Sequence, residues 1–207
     1  MYKRQRNLLT VVQAIARMTL GKGGSLQSFN DRLAALGRAQ GLVTQAGSDE
    51  MDLGDVVRLE LAAHSVTEDG RLTVAGPSVM IGLASVQALA LALHELATNA
   101  VKYGALWQDG AKLDVRWRID HDPAVGDRVV LDWQESGVTM PTEPPHRGYG
   151  RQLIERSLAM ALGTEATLDF GADGVRCRIV VPLGRRPNLA LKKAKEARRL
   201  PAPVPPR

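Results

Sequence analysis

The chain has 207 residues, 44% hydrophobic and only 4% aromatic, with a formal charge of +5, enough for one good-sized domain plus appendages. No apolar run reaches the roughly 18 residues of a membrane span, because Ala84–Leu93 is stopped by His94-Glu95. No secretory signal is read at the start, and the single cysteine, Cys177, lies in the strand-like VRCRIVV, where a packed core thiol is expected. A cytoplasmic location is the expectation. The charge is unevenly placed. From Gly184 onward eight Lys or Arg stand against one Glu, leaving about −2 for residues 1–183. That Pro-rich basic tail, 184–207, reads as a solvated end without fixed structure. A membrane surface, nucleic acid or an acidic partner could meet it, but no specific nucleic-acid function is expected.

In chain order, Arg6–Leu20 spaces its apolar residues for an amphipathic helix, and Gly21-Lys22-Gly23-Gly24 breaks it. A second helix is predicted from Leu26 to Val43, with Leu26, Phe29, Leu33, Leu36 and Val43 along one face. The two form an antiparallel hairpin that must pack on the rest of the chain or on another copy, a four-helix-bundle homodimer being the natural solution. Asp52–Ala63 reads as a further helix, followed by short strands at Arg71–Val74 and Ser78–Ile81. A long helix, Ala84–Tyr103, is closed by Gly104; strands Lys112–Ile119 and Val129–Glu135 follow, then a Gly/Pro/Thr loop over Ser136–Arg147. Gly150–Leu162 reads as a helix, and Ala166–Phe170 with Val175–Val181 as a final hairpin. The expected class is α+β: a helical hairpin over residues 1–48, then one mostly antiparallel sheet with helices on one face over 49–183.

Three stretches could carry chemistry. In ALALHELATNAVKYGAL, Glu95, Asn99 and Lys102 fall at spacings of four and three on one stripe of an otherwise apolar helix. A narrow polar stripe in such a helix suggests a cavity wall. An Asn amide oxygen suits Mg²⁺, a Glu can orient or deprotonate a nucleophile, and a Lys can meet phosphate charge. HELAT begins like a zinc-protease HExxH, but Thr98 stands where the second His is required. In HRGYGRQLIE, Gly148 and Gly150 flank Tyr149 before a helix, a place that favours phosphate; Leu153 occupies the third-glycine position of a dinucleotide motif. In LDWQESGV, Trp133 alternates with Leu131 as core would, while Glu135 ends the strand beside Gly137 and could accept a hydrogen bond from an exocyclic amine.

The order of these motifs, HE-x-x-x-NA-x-KYG, then W-x-E-x-G, then R-G-Y-G-x-x-LI, resembles the HWE class of bacterial sensor histidine kinases from about Arg6 to Leu183. The resemblance implies a GHKL-type ATP-binding α/β sandwich after the hairpin, ATP-dependent phosphorylation of a histidine, and transfer to a response regulator receiver domain. It implies Asn99 as the Mg²⁺ ligand and Glu95 as the polarising or base residue. Lys102 and Tyr103 would line the phosphate and nucleotide side, with Glu135 and Gly137 facing adenine. Gly148, Tyr149 and Gly150 would close the lid over ATP, with Arg147 as a phosphate contact and Leu153 beside them; His94 would be a class marker in the nucleotide motif.

Two departures stand out. The family's H-R-x-K-N box, whose His receives the phosphate, is matched here by KRQRN, with Lys3 at the His position and Arg4, Arg6 and Asn7 fitting. Lysine, with a pKa of about 10.4, lacks the nitrogen lone pair that imidazole offers near neutrality. Either the chain binds ATP without phosphorylating itself, or Met1–Gln5 is not the native start; the second is the preferred expectation. Val138-Thr139 replaces the Gly-Pro common in the class, a change at the lid.

Overall fold

The computed structural model describes residues 2–64, 70–123, 126–139, 154 and 166–183. The expected helix at Gly150–Leu162, the expected loop beyond Thr139, the residues Arg147, Gly148, Tyr149, Gly150 and Leu153, and the basic tail lie outside the described residues.

Helices α1 (Tyr2–Thr19) and α2 (Leu26–Ala46) are joined by a 3₁₀ turn, Leu20–Lys22. Ser25 caps α2 by accepting from the Ser28 N–H at 3.1 Å, and Gly47, at φ 61°, ends it in the left-handed conformation. The face that α2 buries keeps the expected Leu36 and Val43 but is rotated from the expected one: Arg32, Ala35 and Ala39 complete it, while Leu26 is 64% exposed. The apolar stripe alone would place Leu33 at the centre. Instead the helix is turned so that Arg32 meets a buried carboxylate on another helix.

Strand β1 (Glu50–Asp52) leads into α3 (Leu53–Ala62). Asp52 caps α3 through the Gly54 N–H at 2.8 Å and also accepts from Ser78 Oγ and the Val79 N–H. Those last two bonds draw β3 (Met80–Gly82) alongside β1 as a separate two-stranded ribbon. At three residues each, these strands are too short for periodicity to reveal; the first was not foreseen, and the second was expected near 78–81 without its partner. Strands β2 (Leu72–Ala75), β4 (Lys112–Asp122), β5 (Gly126–Ser136), β6 (Ala166–Gly171) and β7 (Gly174–Pro182) form the main sheet in the order β2-β4-β5-β7-β6. Among the described strands only the β2–β4 pairing is parallel, and it needs the long crossover that α4 (Leu83–Lys102) supplies.

The inner face of the sheet follows the period of two. Leu113, Val115 and Trp117 on β4, Val129, Leu131, Trp133 and Glu135 on β5, and Cys177, Ile179 and Val181 on β7 all point inward, as expected for the cysteine. Helix α4 lies on this face with 13 of its 20 residues buried, so it is the central core helix. Ile154 also reaches this core. A smaller cluster of Ile15, Ala35, Leu36 and Leu91 fastens the hairpin to α4. No helix among the described residues is long and apolar enough to cross a membrane.

Candidate nucleotide site at the end of the core helix

The stripe Glu95–Asn99–Lys102 is divided by the hairpin. Glu95 lies under α2 and is buried, whereas Asn99, Lys102 and Tyr103 emerge beyond it, with Tyr103 72% exposed. Arg32 explains the difference. Its Nε–H and Nη2–H donate to the two Glu95 oxygens at 2.8 and 2.9 Å, and its Nη1–H donates to Thr19 Oγ1 at 2.7 Å. A bidentate, charge-assisted pair of this kind fixes both side chains. Burying a carboxylate here costs little only because Arg32 meets it squarely.

One residue earlier, His94 Nδ1 lies 3.1 Å from His64 Nε2, and 3.9 Å from Glu60 Oε2. Arg38 donates from Nη2 to Glu60 at 2.6 Å. Burial, with the neighbouring His64 and Arg38 adding to it, pushes the His94 imidazole down to about 4. Burial and Arg38 also lower His64. With both rings neutral, the N–H of one can donate to the bare nitrogen of the other across this contact. Beside them a cavity of about 310 Å³ opens, lined by Asp31, Arg38, His64, His94, Thr98 and Lys102. The Thr98 hydroxyl oxygen there is buried without a hydrogen-bond partner.

This arrangement fixes a pH response. His94 has a folded pKa below its ordinary 6.5, so its contribution to stability is full above 6.5 and is lost as pH falls towards 4. The urea midpoint of the wild type should therefore fall over that window relative to His94→Gln. Parallel curves for the two proteins would show that the ring does not titrate as the geometry requires.

Beyond the stripe, Gly104 and Ala105 turn the chain over Glu135. The carboxylate is 3% exposed, accepting from Trp133 Nε1–H at 3.1 Å and from the Ala105 N–H at 2.8 Å. Burial raises its pKa, partly offset by those two donors. The period of two that put Trp133 in the core also puts Glu135 there, so it braces the end of α4 from below. Gly137, at φ 72°, donates its N–H to Asp173 Oδ1 at 2.9 Å. Gln108 then ties the same exit to the α4–β4 loop, its Oε1 accepting from the Thr139 N–H at 2.8 Å.

The structure thus brings Asn99, Lys102 and Tyr103 together at one open helix end, with Glu135 and Gly137 next to it in the fold. It gathers His94 and Glu95 one turn away under the hairpin. Lys3 sits in the first turn of α1, at the other end of the hairpin from its turn. Sequence reasoning missed Arg32, His64, Gln108 and Asp173. Only Arg32 left a signal, a cation set among Phe29, Leu33 and Leu36. Among the described residues no group of three or more His, Cys, Asp or Glu side chains could hold a metal. A lone exposed Asn amide fits Mg²⁺ all the same, since that ion keeps several waters and takes most remaining ligands from substrate phosphates.

The fold, a helical hairpin packed on an α/β layer, is shared with solved histidine kinase structures. The solved histidine kinase domain of the Erythrobacter litoralis EL346 blue-light activated histidine kinase matches with a TM-score of 0.56 at 20% identity, covering 85% of this chain and 84% of that one. A second solved structure of the EL346 kinase gives 0.59 at 19% identity over 89% of this chain and 61% of its own. The chain matches the family model for HWE histidine kinase over residues 1–78. It is 34% identical over 190 residues to Blue-light-activated histidine kinase 1 of Erythrobacter litoralis (strain HTCC2594), covering 87% of this chain and 51% of that protein. It is 29% identical over 184 residues to the Blue-light-activated histidine kinase of Brucella ovis, covering 37% of that relative. The chain therefore spans about half, or less, of the curated relatives it matches.

Proposed function

We propose that this chain is the kinase core of a two-component sensor histidine kinase. In this reading it binds Mg-ATP at the open end of α4 and passes the γ-phosphoryl group to a histidine and then to a response regulator aspartate. The observation that carries the reading is the exposed Asn99–Lys102–Tyr103 edge at the end of an otherwise buried helix, beside a turn braced by Glu135. Asn99 would hold Mg²⁺ and Lys102 would neutralise phosphate charge. The work of the site would be positioning and charge compensation around a transferring phosphoryl group. Residues 1–48 would form the dimerising, phosphotransfer-type hairpin and 49–183 the catalytic domain, in the cytoplasm.

Titration with ATP in the presence of Mg²⁺ should show binding that Asn99→Ala weakens at least about tenfold, since loss of even outer-shell partners costs a metal site 10–100-fold. Equal affinities would remove Asn99 from the site and the reading with it.

Lys3 favours a second reading, a nucleotide-binding dimer that docks a response regulator or another kinase without phosphorylating itself. Incubation with Mg-ATP separates the two. Acid-labile phosphate appearing only after Lys3→His marks a competent site that lacks its acceptor, and none in either protein marks the binding module.

A further inference from the structure

We propose that the docked hairpin is a self-inhibited arrangement latched by Arg32, which withholds Glu95 from phosphoryl transfer and keeps the acceptor end of α1 far from the nucleotide edge of α4. The inference rests on the kinase reading above.

The distances come from helix geometry. One Arg32 guanidinium touches both Thr19 and Glu95, so Glu95 sits level with the last turn of α1. Lys3 lies sixteen residues back in the same helix, which at 1.5 Å per residue is about 24 Å. The direction of α4 widens the gap. Gln87 Nε2–H donates to Gln40 Oε1 at 3.1 Å while Glu95 meets Arg32, so α4 runs antiparallel to α2 and in the same direction as α1. Asn99 is therefore about 6 Å further still from the Lys3 end. In-line transfer needs reacting atoms about 3–3.5 Å apart. No side chain at position 3 of the same chain bridges the difference while α2 stays docked.

The latch is built as well as placed. Thr19 and Arg32 are buried at 0% and 5% exposure, and Thr19 accepts the Arg32 N–H that does not face Glu95. Glu95 has both oxygens engaged, so it cannot turn toward an incoming acceptor without releasing Arg32.

The test uses the full chain carrying Lys3→His, with Arg32→Gln or Thr19→Val added. Thr19→Val removes the anchor of Arg32 while leaving Glu95 its counter-charge, and so covers the case in which Arg32→Gln fails to fold. Nucleotide affinity, the rate of acid-labile phosphate formation and amide exchange over Ala35–Val43 are measured on each. A closed arrangement that leaves the open one at about 10% predicts a rise in labelling of up to about tenfold for Arg32→Gln. A smaller rise is expected for Thr19→Val, with faster exchange in both. Nucleotide binding with labelling of the Lys3→His chain that Arg32→Gln and Thr19→Val leave unchanged or reduce overturns the latch alone, whereas nucleotide binding with no labelling in any variant marks the binding module and takes the latch with it. Absence of nucleotide binding in every protein overturns the kinase reading first, and the latch falls with it.

Discussion

Gly104→Ala is expected to lower the unfolding free energy by about 3 kcal/mol, read as a shift of the urea midpoint at unchanged slope. A Cβ on Gly104 would stand deep inside van der Waals contact with Glu135 Oε2 and 2.9 Å from the Ala100 Cα. Neither neighbour can yield. Ala100 is helix backbone, and the carboxylate is held by the Trp133 indole and the Ala105 N–H. Gly110 provides the contrast: its φ of 77° strains any side chain, but nothing lies within 4 Å of an added Cβ. Gly110→Ala should cost about 1 kcal/mol from backbone strain alone. If the two substitutions cost the same, Glu135 does not brace the end of α4 as described. If Asn99 and Tyr103 flank a nucleotide, Gly104→Ala should also lose binding at temperatures where it is still folded.

The second large effect is expected at Arg38. Its partner Glu60 is fully buried at 0% exposure, while the Arg38 side chain is 29% exposed. Arg38→Ala removes the counter-charge and leaves the carboxylate in the core, a change that costs about 3 kcal/mol where buried pairs are broken from one side. Replacing both partners, Arg38→Ala with Glu60→Gln, should recover at least half of that loss. The pH dependence has a definite sign. Burial raises the Glu60 carboxyl, and the Arg38 hydrogen bond and charge pull it partly back. A raised carboxyl stabilises the fold below its ordinary value of 4.5 and loses that contribution as pH rises through the folded value. The Arg38→Ala defect should therefore be largest near neutrality and shrink toward pH 4. A defect independent of pH would mean that Glu60 stays protonated in both proteins.

Most of the architecture was legible because long elements repeat their pattern. The helices at 2–19, 26–46 and 83–102 and the strands at 112–122 and 126–136 each carry enough periods for the element to show in sequence, although the face that α2 buries did not. The ribbon of β1 and β3 was not legible, because three residues hold no period and its register depends on Asp52 reaching Ser78 and Val79. The polar stripe on α4 could be seen in sequence, but not its division. Nothing near Glu95 in the chain announces Arg32, 63 positions earlier, and a cation inside an apolar stripe is ordinarily read as solvated. Glu135 shows the same limit. Strand alternation put it on the core face with Trp133, yet its bond to Ala105 depends on how the turn after α4 closes.

The junction at Gly47 has a mechanical consequence. The end of α2 is bound to the start of α4 by the β1–β3 ribbon and by the Leu83 N–H donating to the Asp49 carbonyl at 2.9 Å. A Cβ added at Gly47 would meet nothing within 4 Å. The 21 residues of α2 are thus a lever about 31 Å long with its fulcrum at that glycine. A tilt of about 10° there would carry the Ser25 end through about 5 Å, one helical pitch. Any input that tilts the hairpin by so little would displace its far end sideways across the catalytic layer while the Gly47 end stays in place.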